Sequence, residues 1–319
     1  AFLCTYKNER EDYYKFYTYN ASADKFAELP TDLSITDNIT GERIYSHKPG
    51  EFIFSGMYVD KNALPNKSLQ GLMMNGHFYY KTTEPSAWSV KIKELYDSTH
   101  YENIFKNQVK ADEIPFLGSC PLRYRFTRTD GREIWILENI HMTKVSEMAP
   151  GSTTATYTYT NYSNALIIFC INQESGKIEW VNRLEKNQKE ISKDNVIHHI
   201  HSIPYLQNDT LYVIWNNTEL NDAELKGTWK EADGQSYDKV NTFGARTLYA
   251  PFLRAYDLNG KDIYSEFKYG LPLSGIFKNQ DTYDLALNSA IYANRDANAL
   301  YVIAQFNKGF KYQFIEIRF

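Results

Sequence analysis

At 319 residues the chain is longer than one hydrophobic core ordinarily fills, so two domains or one modular fold is expected. Hydrophobic residues make up 43%, which excludes disorder as the default state, and a net charge of -4 with no long basic run excludes the concentrated positive face that nucleic acid requires. No apolar run approaches the ~18 residues that would span a bilayer, so the chain is not expected to cross a membrane.

The aromatic content, 26 Tyr, 18 Phe and 5 Trp, favours pleated, half-buried surfaces and points to strands. The sequence starts Ala1-Phe2-Leu3-Cys4 without Met, as a processed or trimmed start would, and Leu3 before Cys4 argues against a lipid anchor. Cys4, Cys120 and Cys170 are odd in number, so at least one is unpaired. Buried small apolar side chains are the expectation, and a Cys120–Cys170 bridge stays open.

Along the chain, apolar residues at three- and four-residue steps (Trp88, Ile92, Leu95, Tyr96, with Val90) predict a short helix over Ser86–Tyr96, read as part of an insertion at 86–108. Leu122–Phe126 and Glu133–Leu137 read as strands joined at Asp130-Gly131, a pair suited to a two-residue hairpin turn. Gly151–Tyr162 reads as a long exposed hairpin or an edge strand. Ala165–Ile171 is continuously apolar, as in a strand buried on both faces. Ser175-Gly176-Lys177 turns it into Ile178–Val181. The Lys186–Glu190 run and Asn216–Gly227 read as polar loops. Further strands are expected at Thr210–Trp215, Phe252–Tyr256, Asp262–Tyr264, Ala299–Ala304 and Lys311–Phe319.

A weak repeat runs through the turns: a glycine, then an aromatic four residues on, at Gly41/Tyr45, Gly131/Trp135, Gly176/Trp180 and Gly260/Tyr264. The glycine spacings of 90, 45 and 84 residues approach multiples of a four-stranded propeller blade. The expected fold is therefore all-β: one β-propeller of about six or seven blades over 1–319 with a short helical insertion.

The run Gly176-Lys177-Ile178-Glu179-Trp180-Val181, leading to Lys186-Asn187-Gln188, and the strand Leu211–Trp215 ending at Asn216-Asn217 resemble a group of secreted proteins of Bacteroidetes-type bacteria. Asp257-Leu258-Asn259-Gly260-Lys261 adds a generic blade turn. The resemblance spans about half the chain and implies a propeller fold and a place outside the cytoplasm, in the periplasm, at the outer membrane or secreted.

Few constellations carry chemistry. His199 and His201 share a strand face and are weak metal candidates, with a strand surface as the plainer reading. Asn294–Asn298 alternates oxygen ligands like a calcium loop but lacks the loop's glycine and closing acid, so a hairpin turn is expected. No nucleophile elbow, Walker loop or Rossmann loop occurs, the quinone-propeller repeat is incomplete, and no cofactor is expected. Six Asn-x-Ser/Thr sequons are what an Asn-rich chain yields by chance. The expected function is a non-catalytic propeller that binds another cell-envelope or secreted protein, such as an outer-membrane transport or secretion component. Its contact residues would be Trp135, Trp180, Trp215, Tyr157 and Tyr159. The alternative is a glycan-binding or glycan-cleaving propeller, with the same rings stacking on sugars.

Overall fold

The computed structural model describes residues 2–7, 12–20, 22–34, 39–60, 76–84, 87–97, 99–100, 120–148, 150–151, 153–192, 202–217, 241–243, 250–267, 283–286, 292–294, 299–306 and 312–318. Among these residues every named element is a strand, and nearly all pairings are antiparallel. The chain divides into two compact units, 1–138 with 167–183, and 139–166 with 184–319.

In the first unit, β1 (Phe2–Lys7), β2 (Asp12–Asn20) and β3 (Lys25–Ser34) form a meander. The next sheet runs in sequence order through β4 (Thr40–Tyr45), β5 (Phe52–Tyr58), β6 (Gly76–Thr82) and β7 (Val90–Leu95). It is covered on both faces. Phe54, Tyr58, Phe78 and Tyr80 pack with Phe16, Leu29 and Leu33 of the meander, and Trp88 reaches Pro30 O through its indole nitrogen at 3.0 Å. The alternate residues Ile53, Met57 and Tyr79 pack with Leu122, Trp135, Leu137, Ile167 and Phe169. A strand whose alternation is Phe52-Ile53-Phe54 has no polar side to show water, so the sheet requires a cover on each face.

The second cover comes from β8 (Leu122–Thr127), β9 (Arg132–Met148), β10 (Ala155–Asn172) and β11 (Ile178–Ser192). The division between units falls inside β9, β10 and β11, which are unusually long. As expected, Ala165–Ile171 is buried at every residue.

In the second unit, β12 (Ser202–Gln207), β13 (Thr210–Asn217), β15 (Ala250–Tyr256) and β16 (Asp262–Phe267) form one sheet. β14 (Asn241–Phe243) pairs parallel to β11. In the last sheet β17 (Tyr283–Ala286), β18 (Tyr292–Asn294) and β20 (Tyr312–Arg318) all pair with β19 (Ala299–Phe306). Asn294 stands opposite Ala299 in the β18–β19 pairing, and residues 295–298, the rest of the run expected as a turn, lie outside the described residues.

Four expectations need correction. Val90–Leu95 is a strand paired to β6, not helix; Trp88, Val90, Ile92 and Tyr96 all fall on the period-two positions of a strand, whose four-residue steps mimic a helix, and only the exposed Leu95 breaks that period. The rest of the supposed insertion, 101–108, lies outside the described residues. Lys186–Glu190 is not a loop but part of β11: Lys186, Gln188 and Glu190 alternate inward and are buried, with Lys186 Nζ donating to Ser163 Oγ at 2.8 Å. The Asp130-Gly131 turn has three loop residues, not two. Arg128 N bonds Arg132 O, and Gly131 alone takes a positive φ, the bulged hairpin that follows a type I turn.

The fourth correction concerns the repeat. All four glycines have positive φ, between 62° and 77°. However, Gly131 joins β8 to β9 and Gly176 joins β10 to β11, two turns of one sheet, so their spacing of 45 is not a step between sheets. The Cys120–Cys170 bridge left open by the sequence is absent; both are buried thiols, and burial pushes the Cys170 thiol up to about 12.

Gly131 and Gly176 separate two costs. A Cβ at Gly131 would meet nothing within 4 Å, whereas at Gly176 it would stand 2.9 Å from Ile92 Cγ1 and 3.2 Å from Tyr79 Cδ1. Gly131→Ala is expected to cost about 1–2 kcal/mol from the left-handed backbone alone. Gly176→Ala adds overpacking and should cost about 2–5 kcal/mol. Urea unfolding followed by tryptophan fluorescence measures both, and equal losses would refute the close approach at Gly176.

Candidate functional site

The densest polar cluster in the first unit forms around Glu133. On β9, Glu133 and Trp135 point to one face. Across β8 they are opposed by Thr127 and Arg125, so these four side chains project together. On the facing sheet Tyr45 stands opposite Ile53, and Ser55, two residues on, stands opposite Tyr79, so Tyr45, Ser55 and Tyr79 also share a face. The β4–β5 turn, closed by Glu51 N to Lys48 O, brings His47 to the same place, and the β10–β11 turn brings Gln173.

The Glu133 carboxylate is 1% exposed and accepts from five side chains. Tyr45 Oη donates at 2.6 Å, Trp135 Nε1 at 2.8 Å, His47 Nε2 at 3.0 Å, Gln173 Nε2 at 3.1 Å and Tyr79 Oη at 3.3 Å. The Arg125 guanidinium lies over the Trp135 ring, 4.2 Å from its centroid, and 5.2 Å from that of Tyr45. It donates to Gly41 O at 2.9 Å and also to Ser55 Oγ. Ser55 Oγ donates to Tyr45 Oη at 3.3 Å, so a chain of hydrogen bonds runs from cation to anion through Ser55 and Tyr45.

Burial pushes the Glu133 carboxyl up, but the bonds from His47, Trp135 and Tyr45 and the charge of Arg125 outweigh it and hold the group below its ordinary value. The same carboxylate, with burial as the larger cause, pushes the Tyr45 and Tyr79 hydroxyls far up, so both stay protonated as donors.

This arrangement braces rather than reacts. A carboxylate has about four lone-pair sites, and five donors leave none for a substrate. Thr127, His47 and Glu133 resemble a nucleophile–base–acid series, yet Thr127 Oγ1 lies 3.2 Å from both imidazole nitrogens. A hydroxyl equidistant from both at this range lies over the ring face rather than in its plane and lines up with neither lone pair, so no proton path from the hydroxyl is formed.

Of the residues singled out in the sequence, Trp135 and Trp215 are core side chains. Trp135 is bonded to Glu133, and Trp215 packs on Phe252 with ring centroids 4.9 Å apart. Trp180 is half-buried on β11. Tyr157 and Tyr159 are brought together on β10, with Lys144 Nζ of β9 3.8 Å from the Tyr157 centroid and 5.5 Å from that of Tyr159. His199 and His201 lie outside the described residues, and among the described residues no group of three His, Cys, Asp or Glu could hold a metal ion. The sequon residue Asn161 is buried. Sequence reading missed Glu133, Tyr45, His47, Tyr79 and Gln173. One signal for Glu133 was available: in Glu133-Ile134-Trp135-Ile136-Leu137 the acid shares a face with Trp135 and Leu137, where a charge needs partners.

No family model and no curated protein matches the sequence. Among solved structures, an alpha-L-arabinanase from Penicillium chrysogenum is 8% identical over 97% of this chain and 67% of its own, with a TM-score of 0.31. A protein of unknown function from Bacteroides caccae is 10% identical over 99% of this chain and 72% of its own, at 0.26. A candidate glycoside hydrolase from Bacteroides ovatus is 9% identical over 94% and 91%, at 0.24. TM-scores this low do not amount to a shared fold, and neither architecture nor activity transfers from them.

Because the folded-state pKa of Glu133 is depressed, its contribution to stability is present above the unfolded value of about 4.3 and is lost as pH falls through the lower folded value. Glu133→Gln should cost about 2–4 kcal/mol at neutral pH, because an amide turns a donor toward the donors around it. It should also flatten the acid limb of stability below about pH 4. Chemical denaturation at a series of pH values checks both, and an unchanged acid limb in Glu133→Gln would rule out the ionised hub.

Proposed function

We propose that the chain is a non-catalytic binding module that holds another protein of the cell envelope or a secreted protein, and that its sheets are blades of a propeller of about six or seven. The propeller reading is supported by the β4–β7 sheet, whose central strands β5 and β6 are buried on both faces as those of a blade are between its neighbours. Against catalysis stands the saturated Glu133 carboxylate, the most enclosed acid of the cluster.

The observation that carries the binding reading is the tip of the β9–β10 hairpin. From Met142 to Met148 every residue is exposed, on both faces of the strand, and Tyr157 opposite is exposed as well. Such an arm contributes nothing to a core of its own. Tyr157 and Tyr159, with Lys144 above them, offer ring area and a charge at little cost in side-chain freedom, the composition of a wet protein contact.

A photo-reactive residue in place of Tyr157, irradiated in the native envelope, should cross-link one protein partner. Tyr157→Ala with Tyr159→Ala should weaken that partner's binding by roughly thirtyfold, the loss typical of a contact hot spot. Glycan binding or cleavage by the purified chain that the double variant leaves intact, together with no cross-linked protein, would overturn the reading in favour of a glycan-active module.

A further inference from the structure

The open edge of β9 presents a second feature, distinct from the tyrosine face. β8 pairs with β9 only as far as Leu137, and no other described strand lies on that side of β9. Arg132 O and Glu138 N are both bonded toward β8, to Arg128 N and Pro121 O. Main-chain groups alternate along a strand, so the even-numbered residues Met142, Lys144, Ser146 and Met148 carry outward N–H and C=O groups. An exposed edge of this length is a template for another strand. The usual guard, a lysine over the edge, is drawn aside here: Lys144 Nζ sits over the Tyr157 ring.

We infer that this edge pairs with the same edge of a second copy of the chain, antiparallel, about a two-fold axis at Val145. A two-fold normal to the sheet keeps the faces, and the register is then selected by side chains. Centred on Val145, it sets Met142 against Met148 of the second copy, Val145 against itself, Lys144 against Ser146 and Thr143 against Glu147. The three exposed apolar residues, Met142, Val145 and Met148, thus each meet an apolar residue. Centring on Lys144 or on Glu147 sets like charges face to face, which antiparallel pairs disfavour. Centring on Ser146 sets Glu147 against Val145 and Lys144 against Met148.

Val145 with its copy is then a non-hydrogen-bonded pair, where side chains approach most closely, and the even residues exchange about eight main-chain bonds. Seven paired residues span about 23 Å, less contact than the ~1,200 Å² of a standard interface. The dimer is therefore concentration-dependent, with a dissociation constant on the order of micromolar.

Sedimentation velocity of the full chain from about 1 to 200 μM should show a rising dimer fraction in this range. Ser146→Pro removes one outward N–H and leaves the inner ladder to β10 whole, so it should weaken the dimer at least about tenfold, while Ser146→Ala keeps it. Val145→Cys should cross-link chain to chain on mild oxidation, with Cα atoms about 4.5 Å apart. Met142→Cys should not, being about 20 Å from its own copy. A monomer at every concentration, or Met142→Cys cross-linking as fast as Val145→Cys, would overturn the inference. Either result leaves the partner cross-link at Tyr157 to stand or fall alone.

Discussion

A carboxylate taken fully out of water must be given as many donors as water gave it, and in the first unit Glu133 imposes that demand on its surroundings. Its donors come from β4, the β4–β5 turn, β6, β9 and the β10–β11 turn. Those segments are far apart in sequence, and apolar packing alone would leave their relative slide undetermined, because one aliphatic contact is much like the next. Five bonds converging on two oxygens fix that slide. The positive φ of Gly176 belongs to the same constraint: the turn carrying Gln173 has to press onto Ile92 and Tyr79 for the amide to reach Glu133.

The second unit repeats the device with the sign reversed. Lys186 is buried on β11 and donates to Ser163 of β10, with Gln188 and Glu190 inward on the same face of the strand. Polar groups on an inward face pin the strand register, since a slip by one residue would exchange the charged set for the outward one. That face is also why the Lys186–Glu190 run misled: a high density of charge reads as loop unless the alternation is followed through it.

What the sequence made legible was whatever depends on neighbours along the chain. Strands at Leu122–Phe126, Ala165–Ile171, Thr210–Trp215 and Phe252–Tyr256 follow from apolar alternation and bounding turns, and the glycines at 131, 176 and 260 from their left-handed conformation. Partnership between distant residues was not legible. Trp135 and Trp215 suggested contact surfaces because tryptophan favours interfaces, yet both are enclosed, one as the donor to a buried acid. The spacing of Gly131 and Gly176 imitated a repeat of sheets because β9 and β10 are long enough to place two turns of one sheet a blade's length apart.

The length of those strands also governs the arm. β8 ends its pairing where the Glu133–Trp135–Leu137 face has finished meeting its partners, and β9 continues beyond it through Met148. Over that extension an inward face has no core to enter, and the alternation of apolar and polar residues is accordingly lost: Met142, Lys144, Val145 and Met148 fall on both sides of the strand. A hairpin that served only to close the sheet could turn back soon after Leu137. One that carries exposed methionines and a pair of tyrosines further bears ordering and solubility costs that folding does not return. Contact with another surface, as proposed for the faces of the arm and for its edge, would return them.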